Sequence, residues 1–186
     1  MIIIAKNIPK IILIFVKTII LIVMNPTYRL LFVCLGNICR SPAAEAVMRA
    51  QAEVYKDSLQ LVVDSAGTYG GHQGELSDPR MRKCAQARGY RMTHRARTLT
   101  ASDFREFDYI LVMDQQNYRT VVRMAPDEAA RNKVLRTADF LTGKYAGCGT
   151  VPDPYYGEIS DFEYVLDLLE NAAASLLERL DQTGRL

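Results

Sequence analysis

Apolar residues fall along this chain in two alternating rhythms, short unbroken runs and longer stripes. Leu30-Leu31-Phe32-Val33 is an unbroken run that predicts a buried strand over about residues 29–34. Small and polar residues then lead into Pro42-Ala43-Ala44-Glu45-Ala46-Val47-Met48, which predicts a helix reaching about residue 55, with Pro42 at its first position. Leu59-Gln60-Leu61-Val62-Val63 predicts a second strand, ending at Asp64-Ser65-Ala66-Gly67, and a glycine-rich loop spans residues 68–76. Asp78-Pro79 opens a helix that runs to Arg88 and stops at Gly89. Beyond a basic loop, Thr100 and Asp103 predict a capped short helix. Residues 109–113 predict a third buried strand, 115–123 a helix, 127–131 a short helix and 133–136 a shorter fourth strand. Residues 161–180 predict a long amphipathic helix, with Phe162, Val165, Leu168, Leu169, Leu176 and Leu180 along one stripe.

Strands alternating with helices imply a four-stranded parallel sheet covered by helices on both faces, an α/β architecture in three layers. Ligands of such sheets bind beyond the carboxyl ends of the strands. Cys34, Ser65 and Asp114 all fall there. At 186 residues and 49% hydrophobic content the chain fits one domain, over residues 25–186, with no internal repeat.

Charge alters the picture at the N-terminus only. The formal net charge is +2, but residues 1–23 hold Lys6, Lys10 and Lys17 and no acid, leaving 20 basic against 21 acidic groups elsewhere. That balance gives no reason to expect a nucleic-acid partner. Residues 1–24 are rich in isoleucine and leucine yet broken by Lys6, Asn7, Pro9, Lys10 and Lys17. A spanning helix wants about 20 mostly apolar residues. Val23-Met24-Asn25-Pro26 offers no small-residue cleavage site for a signal peptide. The extension is expected to lie outside the fold. Either translation starts at Met24, or the segment anchors the chain to a membrane, or it has a function of its own.

The chemistry gathers at Cys34-Leu35-Gly36-Asn37-Ile38-Cys39-Arg40-Ser41-Pro42, between a strand and a helix. Backbone N–H groups wrapping beside a helix N-terminus make an anion cradle, here from Leu35, Gly36, Asn37, Ile38, Cys39, Arg40 and Ser41. Arg40 adds a guanidinium that grips two phosphate oxygens at once. Cys34 sits at the base of this positive field, which favours its thiolate as a nucleophile. Asn37 tolerates the left-handed backbone a tight nest demands. Ser41 is placed to hydrogen-bond the thiolate. Far downstream, Asp153 lies between Pro152 and Pro154, which stiffen the loop that carries it. The four cysteines, 34, 39, 84 and 148, show no paired zinc spacing. The chemistry calls for no metal and no cofactor, but a thiol nucleophile needs a reducing compartment, so a cytoplasmic location is expected, or the inner membrane face if residues 1–24 anchor.

Two separated segments carry a family resemblance. The loop Cys34–Pro42, and Asp153-Pro154-Tyr155-Tyr156-Gly157 far downstream, resemble the phosphate loop and the general-acid loop of low-molecular-weight protein tyrosine phosphatases, over about residues 28–180. The resemblance implies a phosphotyrosine protein phosphatase I-like fold and a phosphocysteine intermediate on Cys34, with Arg40 binding phosphate and Asp153 as general acid and base. It implies a supporting network of Asn37, Ser41, Ser65 and His94, pocket walls from Tyr155 and Tyr156, and capture of oxidised Cys34 by Cys39 as a disulfide. Asp114 is expected to orient Arg40 or anchor the acid loop. The implied partner is a phosphotyrosine protein, with an autophosphorylating tyrosine kinase as one candidate, acted on by a monomer.

One position departs from the family. A large aromatic often follows the second strand, where this chain has Gly71 in Thr68-Tyr69-Gly70-Gly71-His72-Gln73-Gly74. Either Tyr69 or His72 substitutes, or the pocket is open on that side. Two activities of the same fold stand as alternatives. An arsenate reductase needs a further cysteine pair, and Cys84 has no neighbour. A protein-arginine phosphatase carries threonine where Ile38 stands. A phosphate-binding adaptor without activity would have lost the thiol or the acid, and both are present.

Overall fold

β1, Thr27–Cys34, is the strand on which the other elements are stacked. The computed structural model describes residues 25–186. The sheet order is β2-β1-β3-β4, with β2 at Gln60–Gly67, β3 at Tyr109–Val112 and β4 at Val134–Arg136, every pairing parallel. Side chains alternate across β1 as strand geometry requires. Leu30, Phe32 and Cys34 join one core cluster, with Val47, Met48, Leu111, Phe162, Val165 and Leu176. Leu31 and Val33 join the other, with Phe104, Phe107, Ile110, Val112, Val121 and Val134. The first core lies under α1 (Arg40–Ala52) and the long C-terminal helix α6 (Ile159–Thr183), and the second lies under α4 (Gln115–Met124). The expected three-layer α/β domain is the observed one.

The differences in detail have local causes. β2 runs on through Asp64-Ser65-Ala66-Gly67, paired with β1 to its last residue, although the apolar pattern fades after Val63. These residues are small because the loop after β1 folds over them: a Cβ on Gly67 would meet the Leu35 carbonyl oxygen at 2.7 Å. α1 begins at Arg40, two residues before Pro42. Proline is still tolerated at that third position, because the first four N–H groups of a helix have no intrahelical partner. The helix also gives way to a tight turn at Glu53–Tyr55.

α2 occupies Pro79–Ala87, N-capped by Asp78, and Gly89 follows it at φ +85°. The short α3 starts at Asp103, with no side-chain cap at Ser102. Asp103 instead turns back to accept from Thr100 N and Oγ1. α5 is Glu128–Asn132, capped by Asp127. α6 starts two residues early, at Ile159, because Glu158 and Asp161 close a reciprocal capping box, and Gly184 ends it at φ +70°. Tight turns at Thr137–Phe140 and Gly143–Tyr145 carry no hydrophobic period and escape a pattern reading. The proposed extension or anchor at residues 1–24 lies outside the described residues. Among the described residues, no helix is long and apolar enough to cross a membrane.

Candidate active site

The parallel register decides where the chemistry sits. Cys34 ends β1 opposite Gly67 of β2, so the thiol stands at the carboxyl edge of the sheet, 2% exposed. The next five residues form the loop, and Arg40 opens α1. Asn37 holds the loop together. It has φ +56° and is the non-glycine residue with positive φ among those described. Its short polar side chain makes that conformation tolerable and then anchors it. Nδ2 donates to Ser41 Oγ at 2.9 Å and to Ser65 Oγ at 3.0 Å. Oδ1 accepts from His94 Nε2 and from the Arg97 backbone N–H, each at 2.8 Å.

Ser41 Oγ lies 3.1 Å from Cys34 Sγ and 3.2 Å from the Ala66 carbonyl. Because Asn37 already donates to it, its single proton is free for the sulfur or that carbonyl. Ser65 Oγ donates in turn to Glu45 at 2.8 Å, and Glu45 faces His94 Nδ1 at 3.0 Å. The four residues expected to support the loop are thus brought together. Glu45, Asp64 and Arg97 join them unforeseen. Arg97 pairs with Asp64 at 2.8 Å and Asp103 at 3.0 Å. The signal for Glu45 was present, as an acid inside an apolar helix face, since such groups are buried only when paired.

Arg40 is the largest fully buried side chain among the described residues, and its charge is matched by two carboxylates. Nη1 donates to Asp114 Oδ2 at 2.6 Å and Nη2 to Asp153 Oδ2 at 2.5 Å. Burial works against its charge, but Cys34, Asp153 and Asp114 together raise its pKa above the ordinary arginine value. Asp114 has a second task. Its other oxygen caps α4 by accepting from Asn117 N at 2.7 Å.

The segment bearing Asp153 is fixed at both ends. Val151 N–H donates to the Met113 carbonyl at 2.8 Å, and the Val151 carbonyl accepts from Arg40 at 3.3 Å. Beyond it, Arg80 donates to the Tyr155 carbonyl at 2.8 Å and is itself held by Asp78, whose backbone N–H binds the Ile38 carbonyl. One aspartate–arginine pair therefore links the phosphate loop to the acid loop. Hydrogen bonds from Arg80 hold the Asp78 carboxyl below its ordinary value, although burial alone would raise it.

A cavity of about 180 Å³ opens above the thiol, its sides including Ile38, Arg40, Asp153, Tyr69, His72, Tyr155 and Tyr156. Tyr155 is half-buried, with Tyr156 packed edge-on against it at 4.9 Å between ring centres. Tyr156 is otherwise in solvent, 97% exposed, so it adds an edge at the mouth while Tyr155 forms the wall. Cys39 is buried, and burial pushes its thiol well above the usual thiol range. All four cysteines are free.

A thiol at the floor of a pocket, a buried guanidinium beside it and a carboxylic acid at its mouth make the site of a cysteine-dependent phosphate-ester hydrolase. The comparisons with known proteins narrow the class. The model of the low molecular weight phosphotyrosine protein phosphatases matches residues 29–186. A Synechocystis sp. chain is 49% identical over 152 residues, which is 82% of this chain and 96% of its own. The low molecular weight protein-tyrosine-phosphatase of Streptomyces coelicolor is 43% identical over 153 residues, covering 81% and 92%. A crystal structure of a protein tyrosine phosphatase from Entamoeba histolytica aligns with TM-score 0.80 at 43% identity, over 84% of this chain and 99% of that one. The chain belongs to the low molecular weight phosphotyrosine protein phosphatase family.

Proposed function

We propose that this chain hydrolyses phosphotyrosine in proteins through a phosphocysteine on Cys34. The observation that carries the reading is the convergence of Cys34, Arg40 and Asp153 on one pocket, with Ser41 Oγ 3.1 Å from the sulfur. The phosphoryl group enters the cradle of loop N–H groups, and Arg40 supplies planar donors to its oxygens. Cys34 attacks phosphorus in line, and the P–O bond to tyrosine breaks as the P–S bond forms. A phosphate oxygen that accepts the Arg40 Nη2–H hydrogen bond displaces the Asp153 carboxylate from it. Asp153, freed from the guanidinium, takes up a proton from solvent and delivers it to the departing phenolate oxygen. In the second step the same group takes a proton from water, which attacks phosphorus and returns the thiolate. Ser41 stabilises that thiolate, first as nucleophile and then as leaving group. Asn37, Ser65 and His94 keep the loop in shape between the steps.

Tyr155 offers a face on which the substrate ring stacks. Ile38 supplies an apolar side suited to that ring. The natural substrate is a phosphotyrosine protein, the enzyme works as a monomer, and the free thiols suit a reducing, cytoplasmic setting. Cys39 acts as the redox partner of Cys34.

The test is Cys34→Ser. It should abolish turnover of phosphotyrosine peptides while still binding inorganic phosphate in calorimetry, because Arg40 and the loop N–H groups remain. Substantial residual turnover would remove Cys34 from the nucleophile's role.

A further inference from the structure

Charge is spread unevenly over a domain whose totals nearly cancel. Between Pro79 and Ser102 the chain carries seven cations and no acid. Three of them have carboxylate partners: Arg80 on Asp78, Arg88 on Glu163, and Arg97 on Asp64 and Asp103. Among the described residues, Arg82, Lys83, Arg91 and Arg95 have no carboxylate at ion-pair distance. Arg82 and Arg91 line one groove of about 520 Å³, with Gln86 and Thr93 beside them. Helix spacing puts Arg82 and Gln86 on one face of α2. Arg88, on the other side of that helix, already holds the α6 acids Glu163, Asp167 and Glu170. Past Gly89 burial alternates as in an extended chain: Met92, His94 and Ala96 are the more buried residues, while Arg91, Thr93 and Arg95 are exposed. This stretch leads to the rim of the pocket. The Gly74 N–H donates to the Ala96 carbonyl, and Arg95 Nη1 donates to the Gly74 carbonyl, so Arg95 stands on the loop that brings His72 to the cavity above Cys34. Arg82 Nε donates to the carbonyl of Ser77, one residue before the Asp78 N–H that binds the phosphate loop. The carboxylates of that region, Glu75 and Asp78, are engaged by His72 and Arg80.

We propose that the groove of Arg82 and Arg91, continued by Arg95, docks an acidic stretch of the phosphoprotein substrate next to its phosphotyrosine. The proposal rests on the phosphatase reading and adds to it a substrate feature outside the phosphorylated ring. Cations gathered in a cleft without counter-charge focus a positive potential, which draws acidic segments and speeds their encounter. An extended chain spans about 13 Å from position 91 to 95, so roughly four residues of an extended peptide cover the same length. Gln86 and Thr93 offer hydrogen bonds to the peptide backbone between the charged contacts. With 20 basic against 21 acidic groups beyond residue 23, the domain has no general basicity that would produce such a cluster.

The experiment compares kcat/KM for two phosphotyrosine peptides of equal length, one with four glutamates beside the phosphotyrosine and one with four glutamines. Each is made with the four on the N-terminal side and again on the C-terminal side. The proteins are the parent, Arg91→Ala, Arg82→Ala/Arg91→Ala and, as a control, Arg119→Ala, an exposed arginine of α4. On one side the parent should prefer glutamate by about 2- to 25-fold, the span of two exposed ion pairs. Most of that preference should vanish in roughly 0.5 M salt. Arg91→Ala should give up part of it and the double variant the rest, while Arg119→Ala keeps it. Para-nitrophenyl phosphate, too small to reach the groove, should be turned over alike by all four proteins. No preference in the parent on either side, a preference kept by the double variant, or one lost equally in Arg119→Ala overturns the docking groove. Binding to phosphatidylserine vesicles that the double variant loses, with the peptides undistinguished, would give the groove to a membrane and overturn it as well. Phosphonate analogues of the same peptides, with binding read by fluorescence anisotropy, separate the two readings. Absence of turnover on every peptide counts against the phosphatase reading, while the ratio of the analogues' dissociation constants still decides the groove.

Discussion

Asp153 is bound to Arg40 at one oxygen and reached by the Tyr155 N–H at the other, 3.2 Å away, so the residue assigned the proton transfer is also a structural acceptor. Replacement separates the two tasks. Asp153→Asn keeps size and polarity but has no acidic proton. It should slow phosphotyrosine hydrolysis by about 10²- to 10⁴-fold, the usual contribution of a positioned acid. Aryl phosphates whose phenols are already strongly acidic should be spared. Rates for a series of aryl phosphates, plotted against leaving-group pKa, should steepen in the variant; parallel lines would mean Asp153 only positions its loop. Cys39 poses a different problem at the same scale. Burial pushes its thiol above the usual thiol range, so if Cys39 captures an oxidised Cys34 the capture should quicken as pH rises. The balanced step joins a sulfenic acid on Cys34 to the Cys39 thiol, with loss of water. Peroxide-treated parent should regain activity with thiol, and more completely at higher pH. Cys39→Ser should pass instead to sulfinic and sulfonic forms, measured by mass spectrometry. Equal recovery of parent and variant would exclude Cys39 as the resolving group.

Among elements, the brace between α2 and the two loops carries its own pH signature. The Asp78 carboxyl is held below its ordinary value of 3.8, so its pairing with Arg80 adds stability that is fully present above that value. The contribution is lost as pH falls through the lower, folded value. Asp78→Asn should therefore flatten the dependence of urea stability on pH below about pH 4 and leave its shape near neutrality alike. It should also loosen the Asp153 loop, because Arg80 loses the partner that aims it at the Tyr155 carbonyl. An unaltered acid limb would show that Asp78 adds nothing through its charge.

Elements of this kind also show what a sequence gives away. β1, β3 and α6 announce themselves because their apolar residues meet a continuous core. The end of β2 is read from its small residues instead, since Ser65, Ala66 and Gly67 lie close under the loop above them. Cys34 and Arg40 were legible from the chemistry of their loop, and Asp153 from the resemblance of its segment to the family's acid loop. Asp64, Arg97 and the Asp78–Arg80 link were not, because each matters through a partner far along the chain, while Glu45 showed only as an acid inside an apolar helix face. Of the residues offered in place of an aromatic at Gly71, both Tyr69 and His72 line the pocket.

At the scale of the molecule, two cores meet back to back across one sheet, and α6 is tied to the far end of α2 by Arg88. That guanidinium reaches Glu163, Asp167 and Glu170 on successive turns of α6, at 2.5, 2.7 and 3.1 Å. Such a cluster of partly exposed charges fixes the angle between helices more than it adds to stability. The cores themselves leave the sheet little independence, for β1 is paired along both edges and buried on both faces over Leu30–Val33.

Cys34 is the last residue of that central strand, and this has a consequence for how the protein fails. A site built from surface loops can go slack while its scaffold persists, but here the loop springs from the strand that should open last. Heat or urea should extinguish phosphatase activity and circular dichroism along one curve, with activity assayed at each denaturant concentration. Activity lost well ahead of the helical signal would show that the site melts by itself. Along a single curve, every molecule counts as wholly competent or wholly spent, and catalytic output becomes a direct census of the folded population.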